Sequence, residues 1–348
     1  MRILAIETSC DETGIAILEK DGVHIKILSN IVASSLSFHA KTGGIIPEVA
    51  AREQVKVIQP TLIEALKVGL NFDITSKEIP DIDAIAVTYG PGLIGSLLVG
   101  VETAKTLSLL WKKPLIAVNH MHGHLYANWI ESTNITFPAL VLIVSGGHTD
   151  LLLMHRHDDI KVISGTRDDA AGEAFDKIGR LLNFPYPAGA RISQLAEKGD
   201  PKKFNLPRPM IGSGDLDFSF SGLKTAVLNL VKKNDWDFSD EKFAEENEQL
   251  LADICASVEQ AIVDVLVKKT IKAAKENNVK SLLLGGGVSA NKKLKHTFEK
   301  ELDGAIKFYV PSPHLCTDNG AMIAAAAFFK KPSLNPLDIQ ANPGLYYE

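Results

Sequence analysis

Residues 3–18 read ILAIETSCDETGIAIL, an apolar run, a polar turn and a second apolar run that begins after Gly14. Short runs of apolar and β-branched residues on both sides of a polar turn are typical of a β-hairpin. The run from Ile25 to Leu28 predicts a third strand directly after the hairpin. We therefore expect a sheet that begins with three consecutive strands.

The order of elements after this hairpin occurs twice in the chain. In the first copy we predict a helix at 47–70, a buried strand at 82–88, a helix at 95–110 and a strand at 115–118. The second copy opens at 139–154 with ALVLIVSGGHTDLLLM, again two apolar runs around a Gly-containing turn. Its later strands are predicted at 160–163, 281–284 and 306–310. Its helices are predicted at 169–182, in a long segment ending near 278, in a segment opened by Asn291 and at 318–330.

Two copies of one β-β-β-α-β-α-β-α unit predict an α/β fold with two related lobes. Each lobe carries a mixed sheet with helices on its faces, and the two lobes enclose a central cleft. The chain of 348 residues also exceeds what one hydrophobic core usually supports. The predicted lobes are residues 1–135 and 136–348, with an irregular insertion at about 185–222.

The composition is that of a globular chain, with 45% hydrophobic and 23% charged residues. Glu7 interrupts the first apolar run too early for a secretory signal, and no uncharged apolar run is long enough to span a bilayer. The cysteines are scattered and predict neither a disulfide framework nor a thiolate zinc site. We expect a cytoplasmic protein without a membrane partner, in which a net charge of -5 leaves only local basic patches for nucleic acid.

His120 and His124 belong to the run HMHGH at 120–124 and are four residues apart. On a helix this pair shares one face with Cβ atoms about 5–6 Å apart, from which two imidazoles can bind one metal ion. Solvated or core histidines give the same spacing about as often. Asp318, at the equivalent strand-to-helix turn of the second repeat, offers a third ligand across the cleft or serves as a helix N-cap. Two histidines and one carboxylate leave positions open for substrate and suit Zn²⁺ or Fe²⁺.

Gly-rich turns follow two predicted strands of the second repeat, at Ser145-Gly146-Gly147 and at 285–287. Without side-chain bulk, backbone N–H groups can approach phosphate oxygens or the face of a nucleotide. Neither turn is a Walker A sequence, because no Gly-Lys-Ser/Thr follows. One such turn is usually an ordinary tight turn, but two at corresponding places, with Gly90-Pro91-Gly92 in the first repeat, predict a nucleotide pocket.

Carboxylates are concentrated in two segments. Glu7, Asp11 and Glu12 surround the turn of the first hairpin. Asp176 lies in the predicted helix at 169–182, where an acidic group can hydrogen-bond ribose hydroxyls. Most helical aspartates are simply exposed, so the residue alone is weak evidence of a site.

Taken together, these motifs resemble the universal tRNA threonylcarbamoyltransferase family nearly end to end, in its bacterial branch. The segments that carry the resemblance are IETSCDET (6–13), GIIPEVAAR (44–52), GPGLIGSLLVG (90–100), HMHGH (120–124), VSGGH (144–148), DAAGEAFDK (169–177), SFSGLKT (219–225) and GGGVSAN (285–291). The family commonly has Tyr-Pro-Gly-Gly-Pro where this chain has Tyr186-Pro187-Ala188-Gly189-Ala190, which leaves the geometry of that loop open.

The resemblance implies an actin/Hsp70/sugar-kinase-like fold and one reaction. The threonylcarbamoyl group of threonylcarbamoyl-AMP passes to N6 of adenosine 37 in tRNAs that read codons beginning with A, and AMP is released. The implied metal ligands are His120, His124 and Asp318, which hold one divalent ion, Fe²⁺ or Zn²⁺, per subunit. The implied adenylate and threonyl contacts are Ile143, Val144, Ser145, Gly146, Gly147, Asp176, Gly189 and Asn291. The implied partners are tRNA, a smaller paralogous subunit and a P-loop ATPase.

An exocyclic amine is a poor nucleophile, so the reaction calls for a general base, for which Asp11 on the first hairpin is our candidate. The residues also bear on three other functions. A zinc protease of the HxxxH type needs Glu directly after the first His, where this chain has Met121. A kinase or ATPase of the same fold would use oxygen-ligated magnesium rather than imidazoles. A noncatalytic scaffold paralogue would not need the three metal ligands.

Overall fold

The computed structural model describes residues 1–76, 78–302 and 304–347. The chain divides into two compact units, one made of Met1–Ile135 with Pro311–Glu348 and the other of Thr136–Val310. Each unit contains a five-stranded sheet. The C-terminal segment from residue 311, which the sequence analysis assigned to the second lobe, belongs to the first unit in the structure.

The strands, in chain order, are β1 (Arg2–Glu7), β2 (Glu12–Asp21), β3 (His24–Ser34), β4 (Ala84–Gly90), β5 (Leu115–Asn119), β6 (Ala139–Val144), β7 (Thr149–Arg156), β8 (Asp159–Gly165), β9 (Ser281–Gly285) and β10 (Lys307–Tyr309). The α-helices are α1 (Leu36–Thr42), α2 (Pro47–Leu70), α3 (Ile94–Trp111), α4 (His120–Tyr126), α5 (Asn128–Glu131), α6 (Ala171–Leu181), α7 (Gly189–Ala196), α8 (Ser221–Lys233), α9 (Glu241–Glu246), α10 (Glu248–Glu276), α11 (Lys292–Glu301), α12 (Pro313–Cys316) and α13 (Gly320–Ala327). Short 3-10 helices cover Gly287–Ala290 and Pro336–Asp338.

The two sheets have the same topology. In the first unit the strand order is β3-β2-β1-β4-β5, with an antiparallel meander from β1 to β3 and parallel pairing of β1, β4 and β5. In the second unit the order β8-β7-β6-β9-β10 repeats that arrangement. The predicted α/β fold with two related units and mixed sheets is confirmed.

Apolar residues of β1, such as Ile3 and Ile6, are fully buried beneath the helices of the first unit. Helix α2 begins with Pro47, whose fixed φ suits the first turn, and ends where Asn71 adopts a left-handed conformation. Helix α3 packs against β4 and α2 with residues such as Leu97 buried. In the described part of the chain, α3 alone has the length and apolar composition of a membrane-crossing helix, a property it shares with buried core helices.

The contact of α13 with the first sheet explains why the C-terminal segment joins the first unit. A Cβ atom on Gly320 would lie 2.5 Å from the backbone nitrogen of Ala16, and one on Gly14 would lie 2.7 Å from the nitrogen of Gly320. Only glycine permits so close an approach of two backbones. The alanines that follow in α13 are almost completely buried, so a helix of small residues packs directly on β1 and β2. Sequence periodicity does not show which sheet such a helix covers.

Candidate metal centre and nucleotide-binding turns

Three neighbouring parallel strands of the first unit end at the same edge of the sheet. Strand β1 ends at Glu7, Thr88 lies near the end of β4, and β5 ends at Asn119. The side-chain Oδ1 of Asn119 accepts a hydrogen bond from the backbone nitrogen of Met121 at 2.9 Å and so caps α4. His120 therefore starts a helix directly at the edge where open α/β sheets place their ligands.

The three residues predicted as metal ligands lie together. Oδ1 of Asp318 is 3.5 Å from Nε2 of His120 and 3.2 Å from Nε2 of His124. Two ligand atoms bound to zinc at about 2.0–2.1 Å with tetrahedral angles are about 3.3–3.4 Å apart, so these separations suit a single ion. Both histidines are buried, and all three residues belong to the first unit. The donor set fits a divalent ion. The expectation that Asp318 belongs to the second lobe and reaches across the cleft is wrong.

Asp318 is available for this role because a neighbour caps the following helix. The N-cap of α13 is Asn319, whose Oδ1 accepts from the nitrogen of Met322 at 3.0 Å. The alternative that the sequence left open, Asp318 as the N-cap, is therefore not what the structure shows. Its carboxylate faces the two imidazoles instead.

The two histidines have different surroundings at Nδ1. Nδ1 of His120 lies 3.2 Å from Oε2 of Glu7 and 3.1 Å from Oγ of Ser9. Nδ1 of His124 is buried without a hydrogen-bond partner among the described residues. Burial lowers the pKa of His120, but the facing carboxylates of Glu7 and Asp318 outweigh it and raise the pKa to about 9.

His122, in the middle of the same motif, takes no part in the triad. Both of its ring nitrogens are buried without a partner in the part of the chain that the structure describes. Its ring packs 6.3 Å from that of Tyr347. Burial, with a smaller effect of Lys330, lowers the pKa of His122 to about 3, so this side chain is neutral. We regard it as a packing residue.

Asp11, the candidate base, lies in the turn before β2 and is 8% exposed. Its backbone carbonyl accepts hydrogen bonds from the nitrogen of Ser35 at 3.1 Å and from Oγ of Ser35 at 2.8 Å, which fixes the turn. Burial, with the charges of Asp318 and Asp11, raises the pKa of Glu12 far above its usual range. The acidic turn is thus electrostatically linked to Asp318, the third candidate metal ligand.

The two Gly-rich turns of the second unit are adjacent. Ile143 near the end of β6 pairs with Gly285 at the end of the parallel strand β9. A Cβ atom on Gly286 would lie 2.5 Å from the carbonyl oxygen of Val144, so the turns are in contact at this point. Ser145 closes the first turn by donating its N–H to the carbonyl oxygen of His148 at 2.9 Å. Ile143 and Val144 are completely buried, and can serve a ligand only through their backbone or by supporting the turn.

Gly146, Gly147 and Gly287 contrast with Gly286. Added Cβ atoms at these three glycines would meet no atom within 4 Å. The protein itself therefore has no steric need for glycine there. The open space above both turns is the property expected if a ligand lies against the backbone.

Asp176 and Gly189 are joined through the loop before α7. Oδ1 of Asp176 accepts a hydrogen bond from the nitrogen of Ala188 at 2.8 Å. Burial raises the pKa of Asp176 despite the opposing effect of the backbone N–H groups of Ala188 and Gly189. The methyl group of Ala188 fills the space beside Gly179, where a Cβ would lie 2.0 Å away. The loop with the unusual Ala-Gly-Ala sequence is thus packed and held by the predicted ribose-binding carboxylate.

Asn291 uses most of its hydrogen-bonding capacity within the protein. Its Oδ1 accepts from the nitrogen of Leu294 at 2.8 Å and caps α11, while Nδ2 donates to Oγ of Ser193 at 2.8 Å and Oε1 of Glu259 at 2.7 Å. Because both amide hydrogens are engaged, only Oδ1 and the backbone remain for a ligand. Sequence reasoning missed Ser193 and Glu259, which lie on other helices far away along the chain.

Comparisons with known proteins agree on one family. A family model described as tRNA N6-adenosine threonylcarbamoyltransferase matches residues 26–325. The chain is 47% identical over 348 residues to the protein of that name from Thermosipho africanus, covering 99% of both. It is 46% identical over 352 residues to the one from Bacillus subtilis, covering 99% of this chain and 95% of the relative.

Two solved structures bear on the fold alone. Full-length HypF in its phosphate- and nucleotide-bound form superposes with a TM-score of 0.57 at 14% identity, covering 94% of this chain and 55% of HypF. Component A of (R)-2-hydroxyglutaryl-CoA dehydratase from Acidaminococcus fermentans gives a TM-score of 0.51 at 16% identity, covering 94% of this chain and 96% of the other. The expected actin/Hsp70/sugar-kinase-like fold is confirmed.

Proposed function

The chain belongs to the tRNA N6-adenosine threonylcarbamoyltransferase family, and on this premise we propose that it transfers the threonylcarbamoyl group of threonylcarbamoyl-AMP to N6 of adenosine 37 in tRNAs that read codons beginning with A. The observation that carries the proposal is the triad of His120, His124 and Asp318, in which one carboxylate oxygen faces two buried imidazoles. A magnesium-dependent kinase or ATPase has no use for this nitrogen-rich donor set.

The triad would hold one Zn²⁺ or Fe²⁺, which supplies a Lewis acid that polarises the carbonyl of the threonylcarbamoyl group. His120 and His124 are held by α4, and Asp318 by the turn between α12 and α13. Three protein ligands leave positions open for substrate. Burial of both histidines limits exchange of this site with bulk water.

Asp11 is the proposed general base. In the transfer, N6 of adenosine forms a bond to the carbamoyl carbon, and the bond from that carbon to the phosphate oxygen breaks. AMP leaves with the bonding electrons, and the proton lost from N6 passes to the Asp11 carboxylate. The backbone bonds from Ser35 hold Asp11 in place without using its side chain.

The Gly-rich turns of the second unit are the proposed binding place for the AMP portion. The N–H groups of Gly146 and Gly147, with the backbone of the 285–287 turn, would donate to phosphate oxygens. Asp176 would accept from a ribose hydroxyl through the oxygen that Ala188 does not use. Asn291 would contribute through Oδ1 or its backbone, since its amide hydrogens are engaged.

We propose a cytoplasmic location and two protein partners, a smaller paralogous subunit and a P-loop ATPase. Support for a partner comes from α2 and α3, which pack on each other and carry large exposed apolar side chains. These side chains are Val55, Ile63, Val68, Ile94, Leu98, Leu109 and Leu110. Exposed apolar surface of this kind is typical of protein–protein contacts.

The test is a reconstituted transfer reaction. The protein and its partners are incubated with threonylcarbamoyl-AMP and a tRNA carrying A37, and the digested nucleosides are analysed by mass spectrometry. We expect threonylcarbamoyladenosine at position 37, its loss after metal chelation, and its return when Zn²⁺ or Fe²⁺ is added.

The matched pair of variants is His124→Ala and His24→Ala. His24 is an exposed histidine of β3 in the same unit, so its removal controls for the loss of an imidazole. We expect His124→Ala to lose transfer and His24→Ala to keep it. Unmodified adenosine with the wild-type protein and active partners, or full transfer by His124→Ala, would contradict the proposal.

A further inference from the structure

Glu7 is a completely buried carboxylate that the proposed reaction does not yet use. It ends β1 and belongs to the same sheet edge as the metal triad. Burial of an ionised carboxylate is costly unless its oxygens receive hydrogen bonds. The partners of Glu7 therefore indicate what the residue does.

Both oxygens of Glu7 receive hydrogen bonds from fixed donors. Oε1 accepts from the backbone nitrogen of Ser9 at 2.6 Å, and Oε2 accepts from Oγ1 of Thr88. Oε2 also lies 3.2 Å from Nδ1 of His120. An ionised carboxylate can only accept, so the nitrogen that faces it must carry the hydrogen.

We propose that Glu7 is a positioning residue for the metal site. It accepts the Nδ1–H of His120 and thereby turns the lone pair of Nε2 towards Asp318 and the ion. The charge of Glu7 also makes the imidazole a stronger ligand, as carboxylates behind metal-bound histidines do. This inference rests on the proposed metal site.

Ser9 offers a competing explanation, because its Oγ lies 3.1 Å from the same Nδ1. If Ser9 donated its hydroxyl hydrogen to Nδ1, the lone pair of that nitrogen would also face Oε2 of Glu7, and two acceptors would repel each other. With the hydrogen on Nδ1, Ser9 and Glu7 both accept from it without conflict. The arrangement therefore favours one tautomer, and Glu7 is the charged partner that enforces it.

His124 shows that this arrangement is specific to one ligand. Its Nδ1 is buried without a hydrogen-bond partner in the described residues, so its ring is held by packing. Gly123, next to it, is in close contact with Met322 and Ile323 of α13. One imidazole of the triad is thus oriented by a carboxylate and the other by its neighbours in the core.

The experiment measures zinc binding directly. Zinc dissociation constants are obtained by competition with a chelating dye for the wild type, Glu7→Gln, Ser9→Ala and His124→Ala. Glu7→Gln keeps the size of the side chain but removes its charge, and we expect zinc affinity to fall about 10–100-fold. Ser9→Ala should lower the affinity by less, and His124→Ala should abolish binding at the site.

A second readout separates positioning from general structural support. In the cobalt-substituted protein, the Nδ1–H proton of a histidine bound through Nε2 has a shifted NMR signal, and its exchange with water reports its hydrogen bond. We expect faster exchange in Glu7→Gln at unchanged fold by circular dichroism. The matched control is Asp253→Asn, the same change at a buried carboxylate of the second unit that accepts from the nitrogen of Asp200. It should keep wild-type zinc affinity.

The outcomes are distinguishable. The role of Glu7 is overturned if Glu7→Gln keeps the zinc affinity and proton exchange of the wild type. It is also overturned if Ser9→Ala or Asp253→Asn loses as much zinc affinity as Glu7→Gln. Neither result would contradict the metal site. Absence of zinc binding in the wild type, or its persistence in His124→Ala, overturns the metal site and the role of Glu7 together. If Glu7→Gln does not fold, Glu7→Asp keeps the charge and withdraws it from Nδ1, and the same loss of affinity is expected.

Discussion

Asn119 donates a hydrogen bond from Nδ2 to the carbonyl oxygen of Tyr346 at 2.9 Å, which ties the residue before α4 to the C-terminal segment. Oδ1 of the same side chain accepts from the nitrogen of Met121 at 2.9 Å. Because His120 and His124 both lie on α4, the amide of Asn119 caps the helix that carries two candidate metal ligands and also holds the C-terminal segment.

We predict that Asn119→Ala lowers the free energy of unfolding by about 1–3 kcal/mol, because a helix cap is lost and the buried backbone nitrogen of Met121 loses its acceptor. Zinc affinity should fall as well, since the first turn of α4 becomes less ordered. The measurements are urea unfolding and zinc titration. Asn335→Ala is the matched control, because Asn335 caps a short 3-10 helix through the nitrogen of Leu337 at an exposed position. An unfolding free energy of Asn119→Ala equal to that of the wild type would contradict the prediction.

Asp168 provides a pH-dependent contribution to stability in the second unit. Its carboxylate accepts from Oγ of Ser219 at 2.5 Å, from the nitrogen of Phe220 at 2.8 Å and from the nitrogen and hydroxyl of Ser221, the first residue of α8. Burial raises the pKa of Asp168, but these hydrogen bonds prevail and the pKa is lowered from 3.8. The stabilisation is therefore present above the unfolded pKa of 3.8 and is lost as the pH falls through the lower folded value.

We predict that Asp168→Asn lowers the free energy of unfolding by about 1 kcal/mol at neutral pH. This is the usual effect of losing a helix cap, reduced because the side chain is partly exposed. The difference from the wild type should shrink when unfolding is measured at steps down to about pH 3. Asp158→Asn, which removes an exposed carboxylate paired with Arg156 at 2.6 Å, should leave neutral-pH stability nearly unchanged. If the difference in unfolding free energy between the wild type and Asp168→Asn stayed constant with pH, this mechanism would be wrong.

Local patterns along the sequence predicted the strands, the repeated order and the ligands of the candidate metal site. The hairpin at β1 and β2 and the turns at 145–147 and 285–287 follow from short-range patterns that a single chain displays. The position of Asp318 in the first unit did not follow, because it depends on the close approach of Gly14 and Gly320, which are far apart in the sequence. The contact of Glu7 with His120 was missed for the same reason, since three parallel strands bring together residues separated by 113 positions.

Asn291 donates from Nδ2 to Oε1 of Glu259 at 2.7 Å, and a double-mutant cycle can test this pair. Asn291→Asp keeps an oxygen for the cap of α11 but places a carboxylate beside Glu259, which is 6% exposed. We predict a loss of about 3 kcal/mol, because a buried carboxylate loses its donor and meets a like charge. Glu259→Gln in the same protein should recover most of this loss, because its new amide can donate to the new carboxylate. Failure of the second change to rescue unfolding stability would show that the two side chains do not act as a pair.

The glycines of the proposed nucleotide-binding turns allow an effect on stability to be measured separately from an effect on ligand binding. Gly147 has open space where a Cβ would be, so Gly147→Ala should change the free energy of unfolding by no more than about 0.5 kcal/mol. An added methyl would, however, stand where we place the phosphates of the adenylate. We predict that Gly147→Ala weakens AMP binding at least about tenfold, which corresponds to about 1.4 kcal/mol, as measured by isothermal titration calorimetry.

Gly286 serves as the comparison, because we expect its substitution to lower stability even when no ligand is bound. Its φ of 91° lies in the left-handed region, and a Cβ would be 2.5 Å from the carbonyl oxygen of Val144. Gly286→Ala should therefore destabilise the second unit by about 1–3 kcal/mol even without ligand. If Gly147→Ala bound AMP as tightly as the wild type, the turn at 145–147 would not contact the phosphate and the adenylate would have to bind elsewhere. If Gly147→Ala unfolded as easily as Gly286→Ala, its glycine would serve the fold rather than the ligand.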